Sequence, residues 1–213
     1  LEGLNRPLFE THMALDRVLF APAAHIYRAI FPTPLRNGVR NVLNNLDSPV
    51  ILANDLLQGD VTAAGNTFAR FCVNSTLGIG GIFDLAQNMD MPRRAEDFGQ
   101  TLATYGVEEG PYLFLPLVGP APPRDLLGWG VDLLFDPFSF WHWDDKYYLT
   151  FGRAGIDALD LRERNIENLD DLQQQSVDFY ASVRSLYLTS TILSAIWTLG
   201  DFNSVYLLTG GGP

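Results

Sequence analysis

Cationic side chains, cysteines and long hydrophobic runs are what this sequence has least of. In 213 residues, 14 Lys and Arg stand against 25 Asp and Glu, a formal charge of -11. Nucleic acid is held through clustered Lys and Arg, so a nucleic-acid surface is excluded. Electrostatic adhesion to anionic lipid is excluded with it, and any meeting with a membrane must come through apolar burial. Cys72 is the sole cysteine, so no internal disulfide can form and the compartment cannot be read from thiols. Lying in an apolar run, it is expected to be a buried, inert thiol. The apolar run from Leu188 to Leu199 reaches only about 12 residues, short of the roughly 20 that a spanning helix needs. Leu1 opens the chain with no basic or apolar leader pattern, which leaves its location open.

What is present is apolar content without alternation. Hydrophobic residues make up 47% of the chain, enough for one ordinary domain or two small ones. No strand pattern of useful length occurs, so the fold class read from the sequence is all-α. From Pro7 to Ile30, apolar residues recur at three and four residue spacings, and Pro22 is expected to divide two helical pieces. The first piece is greasy on more than one face, as in a deep core or a lipid interface. A helix is expected from Leu35 to about Leu46. Asp47-Ser48-Pro49 then reads as a break before a second, Val50 to Gln58, ended by Gly59. Asp60 caps a third, Val61 to about Val73, with Ala64, Phe68, Phe71 and Cys72 inward.

Between Arg70 and Pro120, glycines are too dense for a helix interior, where each costs roughly 1 kcal/mol against Ala. They are also too irregular for a strand. Two readings stand: a bent wall of a cavity or pore, or a set of ordinary helix ends and turns. Pro123 opens another helix to about Leu134. An aromatic run follows, Phe138, Phe140, Trp141 and Trp143 with Tyr147 and Tyr148, of the kind found at wet apolar interfaces and also at core corners. A long helix is expected from Lys146 to Asn165, with Asp157, Asp160, Arg162, Glu163 and Arg164 on a solvated face. Leu169 to Leu186 reads as a polar, amphipathic helix.

No constellation carries chemistry. His12, His25 and His142 lack metal-ligand spacing, so no metal and no cofactor is expected. Gly78-Ile79-Gly80-Gly81 lacks the Lys and Ser/Thr of a phosphate loop, and no serine or cysteine sits in a nucleophile context. Pairs such as Glu96/Asp97 and Asp144/Asp145 read as caps or surface. No catalytic residue is assigned, and the chain does not read as an enzyme.

Leu1-Glu2-Gly3-Leu4-Asn5-Arg6, Asn54-Asp55-Leu56-Leu57-Gln58-Gly59, Arg70-Phe71, Asn74 through Asp84, Glu96 through Leu102 and Gly110 through Leu117 occur in order. Together they resemble the MlaA (VacJ) family across residues 1–188. The resemblance implies a ring-like, monotopic helical membrane protein with irregular Gly-rich segments around a central channel. It also implies an outer-membrane lipoprotein of Gram-negative bacteria in the periplasmic leaflet, anchored through a Cys upstream of this chain. Such a protein removes mislocalised phospholipid from the outer leaflet and hands it to the periplasmic carrier MlaC, beside an outer-membrane porin trimer. The alternative is a porin-associated scaffold that moves no lipid.

On that basis Phe71, Asn74, Ser75, Thr76, Leu77, Gly78, Gly80, Gly81 and Phe83 are expected to line the channel. Asn74, Ser75 and Thr76 offer neutral head-group contacts or, equally, cap the turn before Leu77. Leu8, Phe9, Phe20, Phe138, Phe140, Trp141 and Trp143 are expected at the membrane interface. Residues 189–213 resemble a fragment of a MalF-type sugar-transporter permease and are expected to be a foreign tail, by fusion, assembly artefact or truncated reading frame.

Overall fold

The computed structural model describes residues 1–140 and 146–191, leaving out the side chains of residues 140, 146 and 147. Helix dominates. α1 (Glu2–Leu15) passes through a π-helical turn, Asp16–Phe20, directly into α2 (Ala21–Ile30), with right-handed helical backbone at both junctions. The break expected at Pro22 does not occur. A proline lacks the N–H of the regular ladder and its ring crowds the preceding turn, and the wider π turn just before it absorbs both defects.

α3 is one helix, Thr33–Leu57, running through Pro49. The expectation of two helices joined at Ser48-Pro49 is therefore wrong. The proline removes one ladder bond, a cost of about 3 kcal/mol that packing of α3 along its length against α4 and α7 outweighs. Gly59, at φ +76°, ends the turn, and Asp60 Oδ1 accepts the Ala63 N–H at 2.8 Å to start α4 (Val61–Thr76), as the sequence indicates.

A turn region and a 3-10 turn, Ala86–Met89, lead to α5 (Phe98–Thr104), capped by Asp97. A two-residue antiparallel hairpin follows, β1 (Phe114–Leu115) on β2 (Gly119–Pro120). Asn5 of α1 holds it by donating to Tyr112 O at 2.9 Å and accepting from Phe114 N at 3.1 Å. α6 (Pro123–Phe135) packs on α5 through glycine: a Cβ on Gly128 would stand 2.3 Å from Gly99 N. After a 3-10 turn come α7 (Lys146–Arg164) and α8 (Ile166–Gln175). The single helix expected over Leu169 to Leu186 is interrupted at 176–178, and helix resumes over 179–191. Leu1–Ile166 forms one compact unit and the residues from Glu167 on another.

The interior of the first unit is unusually polar. Its most deeply buried side chains include Asn5, Asn54, Asp55, Thr101 and Asp160. Ala24, Ala63, Ala64, Ala86 and Ala121 share the buried apolar set with Phe9, Tyr27, Leu43, Ile51 and Phe114. Large apolar side chains lie outside: Leu15, Val18, Leu19, Ile26 and Ile30 along α1–α2, Phe68 on α4, Leu127, Trp129 and Leu134 on α6, and Phe151 on α7. α4 shows the inversion on a single helix. Phe68 is 57% exposed and Cys72 is exposed, whereas Thr67, Arg70 and Asn74 are buried. The expected inward placement of Phe68 and Cys72, and the buried thiol, are thereby corrected. Burying polar groups demands hydrogen-bond partners, as where Thr67 Oγ1 donates to Asp55 Oδ2 at 2.7 Å.

Candidate functional site

At the end of α4 the chain reverses in a tight, Gly-rich turn. Ile79, Gly80 and Gly81 take φ values of 54°, 67° and 94° in succession. Gly81 is required twice over, because besides its left-handed φ a Cβ there would stand 2.6 Å from Asn45 Cβ of α3. The turn is locked from below. Asn74 Nδ2 donates to Asp84 Oδ1 at 2.9 Å, and its Oδ1 accepts the Ala86 N–H at 3.0 Å. Arg70 grips both Asp84 oxygens at 3.0 and 2.9 Å and also donates to Met91 O. Burial raises the Asp84 pKa, but bonds from Asn74 and Arg70, the Arg70 charge and the Gln87 N–H together hold it below its ordinary 3.8.

Two clefts with both polar and apolar walls flank α3. The first, of about 20 Å³, is lined by Asn41, Asn44, Asn45, Ser48 and Ile51 of α3, Thr67, Arg70 and Asn74 of α4, and Asp84, Arg93 and Arg94. The second, of about 320 Å³, is bounded by Asp47, Val50 and Ile51 of α3, Arg93 through Asp97 except Arg94, Trp129, Asp132 and Leu133 of α6, and Asp136 and Arg153. Ile51 and Arg93 belong to both, so the clefts adjoin.

A buried hydrogen-bonded chain backs the second cleft. Asn54 donates to Asp132 at 2.8 Å and accepts from Thr101 Oγ1 at 2.8 Å, and Gln58 donates to Thr101 and Glu96, both at 3.1 Å. Burial pushes the pKa of both Glu96 and Asp132 above its ordinary range. For Glu96 the Gln58 amide and the Arg94 charge offset part of that rise; for Asp132 the Asn54 amide and the Phe98 N–H do so.

Part of the α7 face expected to be solvated is instead a clamp, while Asp157 and Arg164 are exposed as expected. Asp160 and Glu163 are only 1% and 3% exposed. Arg40 pairs with both oxygens of Asp160 at 2.9 and 3.1 Å, and Arg28 and Arg36 converge on Glu163. Arg162 holds buried Asp16 at 2.7 and 3.1 Å. These pairs fasten α7 to the long α1–α2 rod and to α3.

Of the residues expected to line an opening, Asn74 lies in the first cleft; Ser75 borders it, accepting from Asn45 Nδ2 at 2.9 Å. Gly78 and Gly81 are buried in the turn, and Phe71 is half-buried. Thr76, Leu77, Gly80 and Phe83 are exposed outside the cleft lining, with Thr76 Oγ1 donating to Cys72 O at 2.6 Å to close α4. Among the expected interface residues, Leu8, Phe20 and Phe138 are half-buried. Phe9 is not at an interface: it packs edge-on against Phe114 with centroids 5.2 Å apart. Being the inward member of α1 beneath the hairpin, it is taken by the protein's own core. The Phe140 side chain, Trp141 and Trp143 lie outside the described residues. The sequence reading missed Asn41, Asn44, Asn45 and Ser48, although their spacing marks one polar stripe of a helix.

Polar groups gathered inside and Leu, Ile, Phe and Trp turned outward define the class: a helical protein whose perimeter suits an apolar medium. The chain belongs to the MlaA lipoprotein family, whose pattern matches residues 1–192. It is 34% identical to the intermembrane phospholipid transport system lipoprotein MlaA of Haemophilus influenzae and 35% identical to that of Escherichia coli K12. Each match covers 88% of this chain, with 75% and 74% of the relative. It is also similar to a solved chain described as "Structural basis for maintenance of bacterial outer membrane lipid asymmetry". That match has a TM-score of 0.79 and 32% identity, covering 89% of this chain and 94% of that one. The permease likeness of residues 189–213 finds no support in these comparisons, and residues 192–213 lie outside the described ones.

Proposed function

We propose that this protein removes mislocalised phospholipid from the outer leaflet of the Gram-negative outer membrane and so maintains lipid asymmetry. In this reading it is lipid-anchored in the periplasmic leaflet beside a porin trimer and passes its cargo to a soluble carrier of the MlaC type. It does so without covalent chemistry. The observation that carries the reading is the inverted distribution of side chains on an MlaA-family chain. An apolar perimeter seats the helices in acyl chains, and the second cleft, beside α3, gives a charged head group a route that avoids hydrocarbon. None of the helices among the described residues is long and apolar enough to cross a membrane, which suits a protein held in one leaflet.

The test is complementation of a Gram-negative strain lacking its own family member, with surface phospholipid labelled by a membrane-impermeant amine reagent. The wild-type chain lowers labelling to the parental level. Val50→Trp, which fills the second cleft, leaves membrane targeting and porin co-purification intact but abolishes the decrease. A variant that still clears surface phospholipid with that cleft filled overturns the route. A wild-type chain that binds porin and never lowers labelling is a scaffold.

A further inference from the structure

The arginines of this acidic chain are engaged, with one exception. Even the exposed ones are tied down: Arg6 to Glu2 at 2.8 Å, Arg94 to Asp60 at 3.2 Å and Arg164 to Asp160 at 3.1 Å. Arg17 alone, among the arginines of the described residues, has no hydrogen bond, ion pair or ring contact, and it is exposed. Against 25 Asp and Glu, a guanidinium left without a carboxylate departs from the pattern of the whole chain. The acid beside it in sequence, Asp16, is buried and taken by Arg162 at 2.7 and 3.1 Å.

Its surroundings say what it is free for. Arg17 lies in the π-helical turn Asp16–Phe20, where α1 runs into α2, and such turns recur at functional sites. Asp16 is the inward member of that turn, while Arg17, Val18 and Leu19 are exposed, Val18 at 79% and Leu19 at 58%. Leu15, just before, is exposed as well. One cation is thus set among three outward apolar side chains of the perimeter that faces lipid. A charged group is strongly disfavoured in hydrocarbon, so the aliphatic stem follows the apolar arc and carries the guanidinium to the polar boundary. The anion at that boundary is the lipid phosphate, whose oxygens fit the fork of a guanidinium.

We propose that Arg17 binds the phosphate of a phospholipid in the surrounding leaflet while Leu15, Val18 and Leu19 enter its acyl region, so that this turn sets the depth at which the α1–α2 rod lies. The proposal rests on the lipid-facing perimeter above and adds the chemistry of its edge. Arg17 lines neither cleft, so the lipid it holds is a neighbour and not the cargo. A single contact is far short of the basic cluster that electrostatic adhesion needs.

The experiment titrates the full chain, diluted out of detergent, with vesicles of phosphatidylcholine and in parallel with vesicles of digalactosyldiacylglycerol, whose head group has no phosphate. Both lipids are uncharged overall, so the chain's charge of -11 biases neither. Phosphatidylcholine is expected to bind about three-fold more tightly, the factor that one exposed ion pair brings. Arg17→Gln brings the two affinities together and Arg17→Lys restores part of the difference. Arg6→Gln, which removes an exposed but paired arginine of α1, leaves the difference intact. A nitroxide on Val18→Cys, in a Cys72→Ser background, is expected to be shielded from a water-soluble nickel reagent once vesicles are bound. Equal wild-type affinities, a preference that survives Arg17→Gln, or one lost equally in Arg6→Gln overturns the phosphate contact alone. An Arg17→Gln chain that keeps the preference but no longer co-purifies with porin gives the cation to a protein partner instead. A label at position 18 open to the nickel reagent overturns the depth, and failure to bind either vesicle overturns the lipid-facing perimeter with it.

Discussion

Residue by residue, the chain is held by polar pairs that hydropathy does not register. Glu163 is the clearest case, since Arg28 and Arg36 both converge on a carboxylate that is 3% exposed. Removing one member of a buried pair leaves uncompensated charge, so Glu163→Ala is expected to cost about 3–5 kcal/mol, read by chemical denaturation in detergent. Glu163→Gln is expected to recover part of that loss by keeping an acceptor.

Asp84 predicts a pH response. Its folded pKa lies below 3.8, so the stability it contributes is full above that value and is lost as pH falls through the folded pKa. Melting points collected from neutral to strongly acidic pH are expected to fall in that low window, and Asp84→Asn is expected to flatten the fall there. Glu96 and Asp132 act with the opposite sign. Burial raises their pKa values, so their ionised forms oppose folding at neutral pH and the penalty is relieved as pH drops through the raised values.

At the level of elements, the contacts are set by small residues and by two proline-containing helices that do not break. Gly128 on α6 lies so close to Gly99 that a methyl group cannot enter without parting α5 from α6. Gly128→Ala is expected to destabilise by about 1–3 kcal/mol despite its better helix propensity, with a lowered melting point as the measure. A neutral or stabilising result would mean that the two helices slide freely. Helix starts at Asp60 and Pro123 were readable because capping chemistry is local. Pro49 was misread because a proline signals a break only when packing on either side is weak, and α3 is braced on both sides of it. The Gly-rich turn after α4 was legible as a bent segment. Its lock, Asn74 with Arg70 and Asp84, was not, because Asn74 read equally as a head-group contact or a cap of the turn, and the partners that make it a clasp, Asp84 and Ala86, lie ten or more positions on.

For the molecule as a whole, the exposed apolar side chains set how it meets its surroundings. The purified chain is expected to require detergent for monodispersity and to bind vesicles in a manner that high salt does not reverse. Apolar burial is unscreened, and a chain of charge -11 gains nothing from anionic lipid. Flotation of the protein with vesicles in low and in molar salt measures this. A monodisperse, vesicle-free protein without detergent would contradict the lipid-facing perimeter.

The sequence by itself determined the helical class, the helix starts at Asp60 and Pro123, the absence of a basic surface and, through ordered motifs, the family. Those are decided by neighbours within a few residues or by composition. Only the tertiary structure decided which side of each helix faces inward. Periodicity reports that α4 or α7 has two kinds of face, but the interior is chosen by what the facing elements supply. Here they supply guanidiniums, amides and carboxylates from residues up to more than a hundred positions away, as Arg40 does for Asp160. That is why Phe68 and Cys72 were expected inside and Asp160 and Glu163 outside, and why each proved to be the reverse.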